Sequence, residues 1–263
     1  MKLDQIYDRY NTFIVGVSGG KDSTATALWA IDNLPREKIK FVHHLTGASW
    51  PETDEYLLYL QNKLDIKIET VSAGDRPIIH TRTILNITKD LEACTNLFDM
   101  VHIRGHWPNW RIRWCTKNLK GYPVRLYAQE FDRPLLISGV RREESYKRAT
   151  LHDYDPLDAR WKGITRYKCH WYYPILSWSL ANVFEYLNLH GVKKNPIYKY
   201  VSRIGCWCCP CDCSNQNVLQ FCKQHPELAK RWIDLEREIG MRWRNDISLA
   251  SLYERAQQQL CLF

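Results

Sequence analysis

Two groups of residues in this chain have the types and spacing for chemistry. The first is Ser18-Gly19-Gly20-Lys21-Asp22-Ser23. Consecutive glycines let a backbone turn tightly enough to aim its amide N–H groups at an anion, and a helix starting there adds its positive N-terminus. Phosphate is the anion that suits such a loop. Lys21 can place a mobile positive charge on it, Ser18 and Ser23 can donate hydroxyl protons, and Asp22 can hold a magnesium ion or its water. The spacing is not that of a Walker loop, which needs four residues between its first glycine and Gly-Lys. Gly16 falls outside that spacing. The second group is sulfur: ten cysteines, five of them within Cys206 to Cys213 (CWCCPCDC). A chain of 263 residues is long enough to bury a core without covalent staples. In a reducing compartment, thiols packed this tightly are metal ligands or redox groups more often than structural disulfides.

The elements that must position these groups can be read along the chain. The apolar run Phe13 to Val17 reads as a strand entering the glycine loop, with a helix after it. Lys40 to Leu45 and Ile66 to Val71 read as further strands, with a helix over Pro51 to Leu64 between them. Gly121 to Glu130 reads as a helix and Leu135 to Val140 as a buried strand, followed by the polar run Arg141 to Arg148. Helices are expected over Ser179 to His190, with Gly191 as the stop, and over Pro226 to Glu238 and Ser248 to Gln259. Strands alternating with helices predict an α/β fold, a doubly wound parallel sheet, with a Cys-rich helical C-terminal region. The expected division is a nucleotide-binding domain over residues 1–195 and a Cys-rich metal-binding region over 196–263.

Composition excludes other classes. No run approaches the roughly 20 apolar residues that span a bilayer, so no membrane partner is expected. The N-terminal MKLDQIYDRYNTF lacks an apolar h-region, which predicts a cytoplasmic protein. The net charge of +8 favours polyanions, and the basic aromatic stretch Gly105 to Cys115 (GHWPNWRIRWC) suits either base stacking or a wall around a metal site. Arg141, Arg142 and Arg148 follow a predicted strand at the carboxyl edge, where open α/β sheets bind ligands. Guanidinium forks there can clamp phosphate or sulfate, with Glu144 orienting one of them.

The motifs also resemble a known family. SGGKDS after a first strand resembles the PP-loop of the adenine nucleotide alpha-hydrolase superfamily. Thr46-Gly47 with Pro51-Glu52-Thr53, Gly139-Val140-Arg141-Arg142-Glu143-Glu144-Ser145 with Arg148, Tyr173-Pro174-Ile175 with Trp178, and Asn195-Pro196-Ile197-Tyr198 before Arg203-Ile204-Gly205-Cys206 narrow the resemblance. Together they are similar to the phosphoadenosine phosphosulfate (PAPS) reductase family. Leu45 stands where that family usually has aspartate. The resemblance implies that Ser18, Gly19, Gly20, Lys21, Asp22, Ser23, Thr46, Gly47, Gly139, Arg141, Arg142, Glu144 and Arg148 bind ATP with Mg2+, or else PAPS or adenylyl sulfate (APS), and that Lys21, Asp22 and Arg141 serve catalysis.

Sulfonucleotide reductases similar to this chain ligate a 4Fe-4S cluster with a Cys-Cys pair and a later CxxC. Here Trp114 replaces the first cysteine, and Cys115 precedes Cys206 by 91 residues. The resemblance implies Cys115, Cys206, Cys209 and Cys213 as ligands, with Cys211 and Cys222 as alternatives to Cys213. Zinc is the competing metal, since four thiolates also satisfy a tetrahedral site. The form Arg113-Trp114-Cys115-Thr116 to Lys120 resembles the sulfur-transfer branch of DNA phosphorothioation enzymes. That implies ATP-dependent, AMP-forming sulfur transfer, with a cysteine desulfurase as sulfur donor and a nucleic acid as substrate. Reduction of PAPS or APS to sulfite with thioredoxin is the alternative, with Cys261 as nucleophile, although the family's tail reads glutamate-cysteine-glycine and this one reads Leu260-Cys261-Leu262. A non-catalytic nucleic-acid-binding module is the third reading, and Leu45 is its best support.

Overall fold

Thr12–Gly16 (β1) is a strand because it is a short run of apolar and β-branched residues whose centre is buried on both faces, the pattern of a parallel strand covered by helices. The computed structural model describes residues 3–74, 95–156 and 169–260; Cys94 and Cys261 lie outside them. The chain forms two compact units, one from Met1–His44, Pro51–Val71 and Gly121–Pro196, the other from Leu45–Trp50, Ser72–Lys120 and Ile197–Phe263.

The first unit holds a six-stranded sheet. With β2 (Ile39–His44), β3 (Ile68–Val71), β4 (Pro134–Ile137), β5 (Tyr154–Asp155) and β6 (His170–Tyr172), the order is β3-β2-β1-β4-β6-β5. All neighbours are parallel except the β5–β6 pair. Alternation along the strands sorts side chains onto two faces. Phe13, Val15, Phe41, Leu135 and Ile137 pack with the helices Lys21–Asn33, Pro51–Leu64 and Leu180–Leu189. Ile14, Val42, Leu136 and Trp171 pack on the other face with Val124 and Tyr127 of the helix Tyr122–Ala128. Helices on both faces of a mostly parallel sheet make the doubly wound α/β fold expected from the sequence. Its order reverses at β1, flanked by β2 and β4, so the loops after β1 and β4 lie side by side at the switch point where such sheets bind ligands.

The strand expected over Leu135 to Val140 ends at Ile137, because the chain turns at Gly139 and Val140 N bonds back to Ser138 O at 2.9 Å. The helix Lys21–Asn33 is buried through Ser23 to Leu28 and at Ala30, and its small residues let it lie close to the sheet.

The second unit is helical and built around aromatic rings. Trp50, Trp107, Trp114, Trp207, Trp232 and Trp243 are buried in its core. Trp207 stacks on Phe221 with centroids 3.9 Å apart, and Trp50 meets the same ring edge-on. Two of its helices, Leu97–Arg104 and Asn215–Gln224, are absent from the sequence reading; Asn96 and Ser214 cap them by accepting the N–H of Asp99 and Asn217. The buried Glu236 carboxylate accepts the N–H groups of Trp243, Leu249 and Ala250, which fixes the start of the helix Leu249–Leu260. No described helix is long and apolar enough to cross a membrane.

Candidate phosphate loop and cysteine site

In the first unit the glycine loop leaves β1 and opens the helix Lys21–Asn33. Gly19 has φ +76°, and a Cβ there would lie 2.9 Å from the Thr53 methyl, so both conformation and space call for glycine. Gly20 is the N-cap and carries no side-chain cap. The turn is held from within: Ser18 N donates to Ser23 Oγ at 3.1 Å, Ser23 Oγ donates to Gly20 O at 2.9 Å, and the buried Asn195 amide donates to Gly19 O at 3.2 Å. The result is a pre-shaped turn at a helix N-terminus, an arrangement that can hold an anion.

The loop after β4 lies against that first turn. Gly139 permits the approach, since a Cβ there would be 2.6 Å from Asp22 O. Two residues on, Arg141 is 5% exposed, and its Nε donates to Asp22 Oδ1 at 2.6 Å while Nη1 donates to Glu143 Oε2 at 2.8 Å. Burial works against the guanidinium charge, but Asp22 and Glu143 outweigh it and hold its pKa above the ordinary value. Lys21 Nζ reaches the other Asp22 oxygen at 2.7 Å. Asp22 is thus a carboxylate clamped between two cations. Glu144 accepts Arg141 N at 3.0 Å and pairs with Arg148. Arg142 is exposed and donates to Leu151 O at 3.1 Å. Glu143, which also accepts Leu180 N at 3.1 Å, is a site residue the sequence reading did not single out.

In the second unit, the loop Cys206 to Cys213 turns twice, with Cys209 N bonding to Cys206 O at 3.2 Å and Cys213 N to Cys209 O at 3.1 Å. It is pinned on several sides. Trp207 N donates to Ala48 O at 3.1 Å, Trp243 Nε1 to Cys208 O at 2.6 Å, and Arg113 pairs with Asp212 at 2.7 Å. Cys115, on the short helix Trp114–Thr116, comes into electrostatic reach of this loop: burial pushes its thiol up to about 11, and the Cys206 and Cys209 sulfurs add to the push. Burial likewise raises Cys206 and takes Cys213 to about 12. Cys209 is held low because the Cys211 thiol donates to its sulfur. Lys120 favours the thiolate form of both Cys115 and Cys206.

Cys222 stands apart on the helix Asn215–Gln224, raised to about 12 by burial with no neighbouring sulfur contributing. The Thr46 hydroxyl lies 3.7 Å from Cys206 Sγ, and Gly47 has φ +71°. Thr46 and Gly47 therefore belong to the same unit as the cysteines, and the glycine loop to the other. Trp114, at the position of the missing cysteine, fills the core with the Arg104 guanidinium over its ring. The eight described cysteines are free thiols, and among the described residues no group of three or more His, Cys, Asp or Glu side chains closes to the geometry that holds a metal ion.

Residues 12–212 match the phosphoadenosine phosphosulfate reductase domain. The chain is 31% identical over 274 residues to an uncharacterized 37.8 kDa protein of Escherichia phage 186, covering 92% of this chain and 74% of that one. It is 22% identical over 195 residues to the phosphoadenosine 5'-phosphosulfate reductase of Salmonella schwarzengrund, covering 65% and 69% of the two chains. The crystal structure of the PAPS reductase of Candida auris superposes with a TM-score of 0.51 at 13% identity, covering 78% of this chain and 86% of that one, which shows a common fold. The domain match spans both the glycine loop and the loop of Cys206 to Cys211, and the chain belongs to the phosphoadenosine phosphosulfate reductase domain family of PP-loop proteins.

Proposed function

We propose that this chain uses ATP to adenylylate an acceptor oxygen, releasing pyrophosphate, and that a sulfide-level sulfur then bonds to the acceptor atom bearing that oxygen as the oxygen leaves with AMP, with a 4Fe-4S cluster bound by Cys115, Cys206, Cys209 and Cys213. The observation that carries the reading is the arrival of Cys115 within electrostatic reach of Cys206 and Cys209 across 91 residues of chain, beside Lys120, whose charge favours the thiolates of Cys115 and Cys206. We favour a cluster over zinc because the resemblance to cluster-binding enzymes includes Cys115, far upstream of the Cys206 to Cys213 loop. Zinc draws four sulfurs to about 2.3 Å from one ion, whereas a four-iron cubane spreads its thiolates over its corners. Bound there, the cluster would supply a site for the sulfur to be transferred.

The chain's own contribution is positioning and charge. Gly19 and Gly20 would seat the phosphates on backbone N–H groups, and Lys21 would stabilise charge growing on the phosphoryl oxygens. Arg141, buried against Asp22, would act through it, holding the carboxylate aimed for Mg2+. For the acceptor we favour a nucleic acid. Trp107 and Trp114 are core residues, but Trp110 is 73% exposed with the Arg111 guanidinium 4.7 Å from its ring centroid, on a turn held by the Asn109 side chain. An exposed indole backed by a cation suits base stacking.

The test is pyrophosphate release from ATP with Mg2+ by anaerobically purified protein, abolished in Lys21→Ala, together with about four irons per chain. Stoichiometric zinc in a colourless sample would remove the cluster. The relatives named as PAPS reductases favour a second reading, reduction of PAPS or APS to sulfite. Sulfite formation with thioredoxin, lost in Cys261→Ser and without pyrophosphate release, would replace the first reading by the second.

A further inference from the structure

The geometry points to a second anion site in the first unit, at the amino-terminal edge of the sheet, opposite the edge that carries the glycine loop. A cavity of about 430 Å³ opens there. Arg9, Tyr10, Gln129, Arg133, Cys169 and His170 line it, where the chain enters β1, β4 and β6.

The lining is organised. Tyr10 Oη lies 2.5 Å from His170 Nδ1 and 2.7 Å from Tyr154 Oη, so the imidazole is held by a buried phenol that is itself anchored. The Arg9 guanidinium lies 5.8 Å from the centroids of both tyrosine rings, packed on their faces. Arg133 has φ +40°, a left-handed conformation that a branched or long side chain adopts only when its surroundings impose it. Here Asn11 N bonds to Arg133 O at 3.1 Å, and Arg133 Nη2 donates to Asn11 Oδ1 at 2.7 Å, which fixes the guanidinium at the rim. Gln129 Nε2 faces Cys169 Sγ at 3.8 Å.

Two arginines, a histidine and a glutamine line one concave space, and Asp132 meets Arg133 Nε at 3.6 Å on the exposed side. Guanidinium forks recognise oxyanions in a planar, two-point manner. The volume exceeds that of a bare oxyanion, and the tyrosine and proline walls suit an organic body. The ligand class is therefore a small organic anion bearing a phosphate or a carboxylate, bound independently of the glycine loop.

Equilibrium dialysis of the full-length protein with radiolabelled inorganic phosphate, and in parallel with acetate, tests this. Wild type is expected to bind one equivalent of one of the two anions, which Lys21→Ala leaves in place and for which Arg9→Ala and Arg133→Gly each lower the affinity at least ten-fold. The arm that binds identifies the headgroup. Arg133→Gly relieves the left-handed strain as it deletes the guanidinium, so its melting temperature should hold. Wild-type binding in both arginine variants, or no equivalent beyond the one lost in Lys21→Ala, would overturn the assignment.

Discussion

Gly139→Ala tests whether the two loops at the switch point are held together as described. A methyl group at this position would lie 2.6 Å from Asp22 O, 2.8 Å from Asp22 C and 2.7 Å from Thr26 Oγ1. Two of those atoms are backbone within the first turn of the helix Lys21–Asn33, so the turn or the loop after β4 must withdraw by several tenths of an ångström. Overpacking of this kind costs about 1–3 kcal/mol. For a chain of this size that lowers Tm by roughly 2–4 °C per kcal/mol. The displacement also acts on function, because Arg141 is two residues away and its 2.6 Å bond to Asp22 spans the same contact. ATP affinity should fall together with Tm. Gly205→Ala is the control, since nothing lies within 4 Å of a Cβ there. Differential scanning fluorimetry and calorimetric ATP titration on both variants read the two effects. If Gly139→Ala melts and binds ATP like wild type while Gly205→Ala does too, the close approach of the loops is wrong.

Three further outcomes are expected. Glu236→Gln should destabilise the protein by about 2–3 kcal/mol in urea unfolding followed by tryptophan fluorescence, because a buried carboxylate that accepts several N–H bonds is replaced by an amide that brings donors of its own. Trp110→Ala should leave stability within about 0.5 kcal/mol, as expected for an exposed side chain, yet weaken binding of a fluorescent single-stranded oligonucleotide by about 1–3 kcal/mol; unchanged anisotropy titrations would argue against the stacking role. Burial holds the Cys222 thiol at about 12, above its unfolded value, so between about pH 8.5 and 12 the unfolded chain releases a proton that the folded chain keeps. Stability from this residue is complete below that window and declines as pH rises through it. Cys222→Ala should show a shallower alkaline decline, and an identical slope would refute the account.

Much of the fold could be read from local signals. The helices Pro51–Leu64 and Pro226–Glu238 occupy the expected residues, since both open on proline with acidic residues in the first turn. β1 and the glycine loop stand out because a buried run followed by Ser-Gly-Gly has few other uses. The run Arg141 to Arg148 was harder. Its composition reads as a solvated or ligand-facing charge cluster, and Tyr146 is indeed 89% exposed, but Arg141 is buried on Asp22, a partner 119 residues earlier. No local pattern encodes such a pair. The same holds for Thr46, whose hydroxyl meets Cys206 across 160 residues. β6 was missed because three residues give too short an alternation to recognise. The capping residues Asn96 and Ser214, and the helical spacing of Val218, Phe221 and Cys222, were available signals for the two unpredicted helices.

The second unit draws its tryptophans from stretches far apart in the chain, and this has a consequence for synthesis. Trp50, Trp107 and Trp114 leave the ribosome well before Trp207, Trp232 and Trp243, the rings that complete their core. From Lys120 to the helix Asn215–Gln224 is roughly 100 residues, or about 5–20 s of translation at typical rates. For that interval large indole surfaces wait without partners while the sheet of the first unit can already assemble around β1 to β4. The nascent chain should therefore depend on chaperones most heavily midway through its own translation, and a gene cut near residue 196 should yield a C-terminal fragment in which Trp207 can still stack on Phe221 but which lacks Trp50, Trp107 and Trp114 to complete the core.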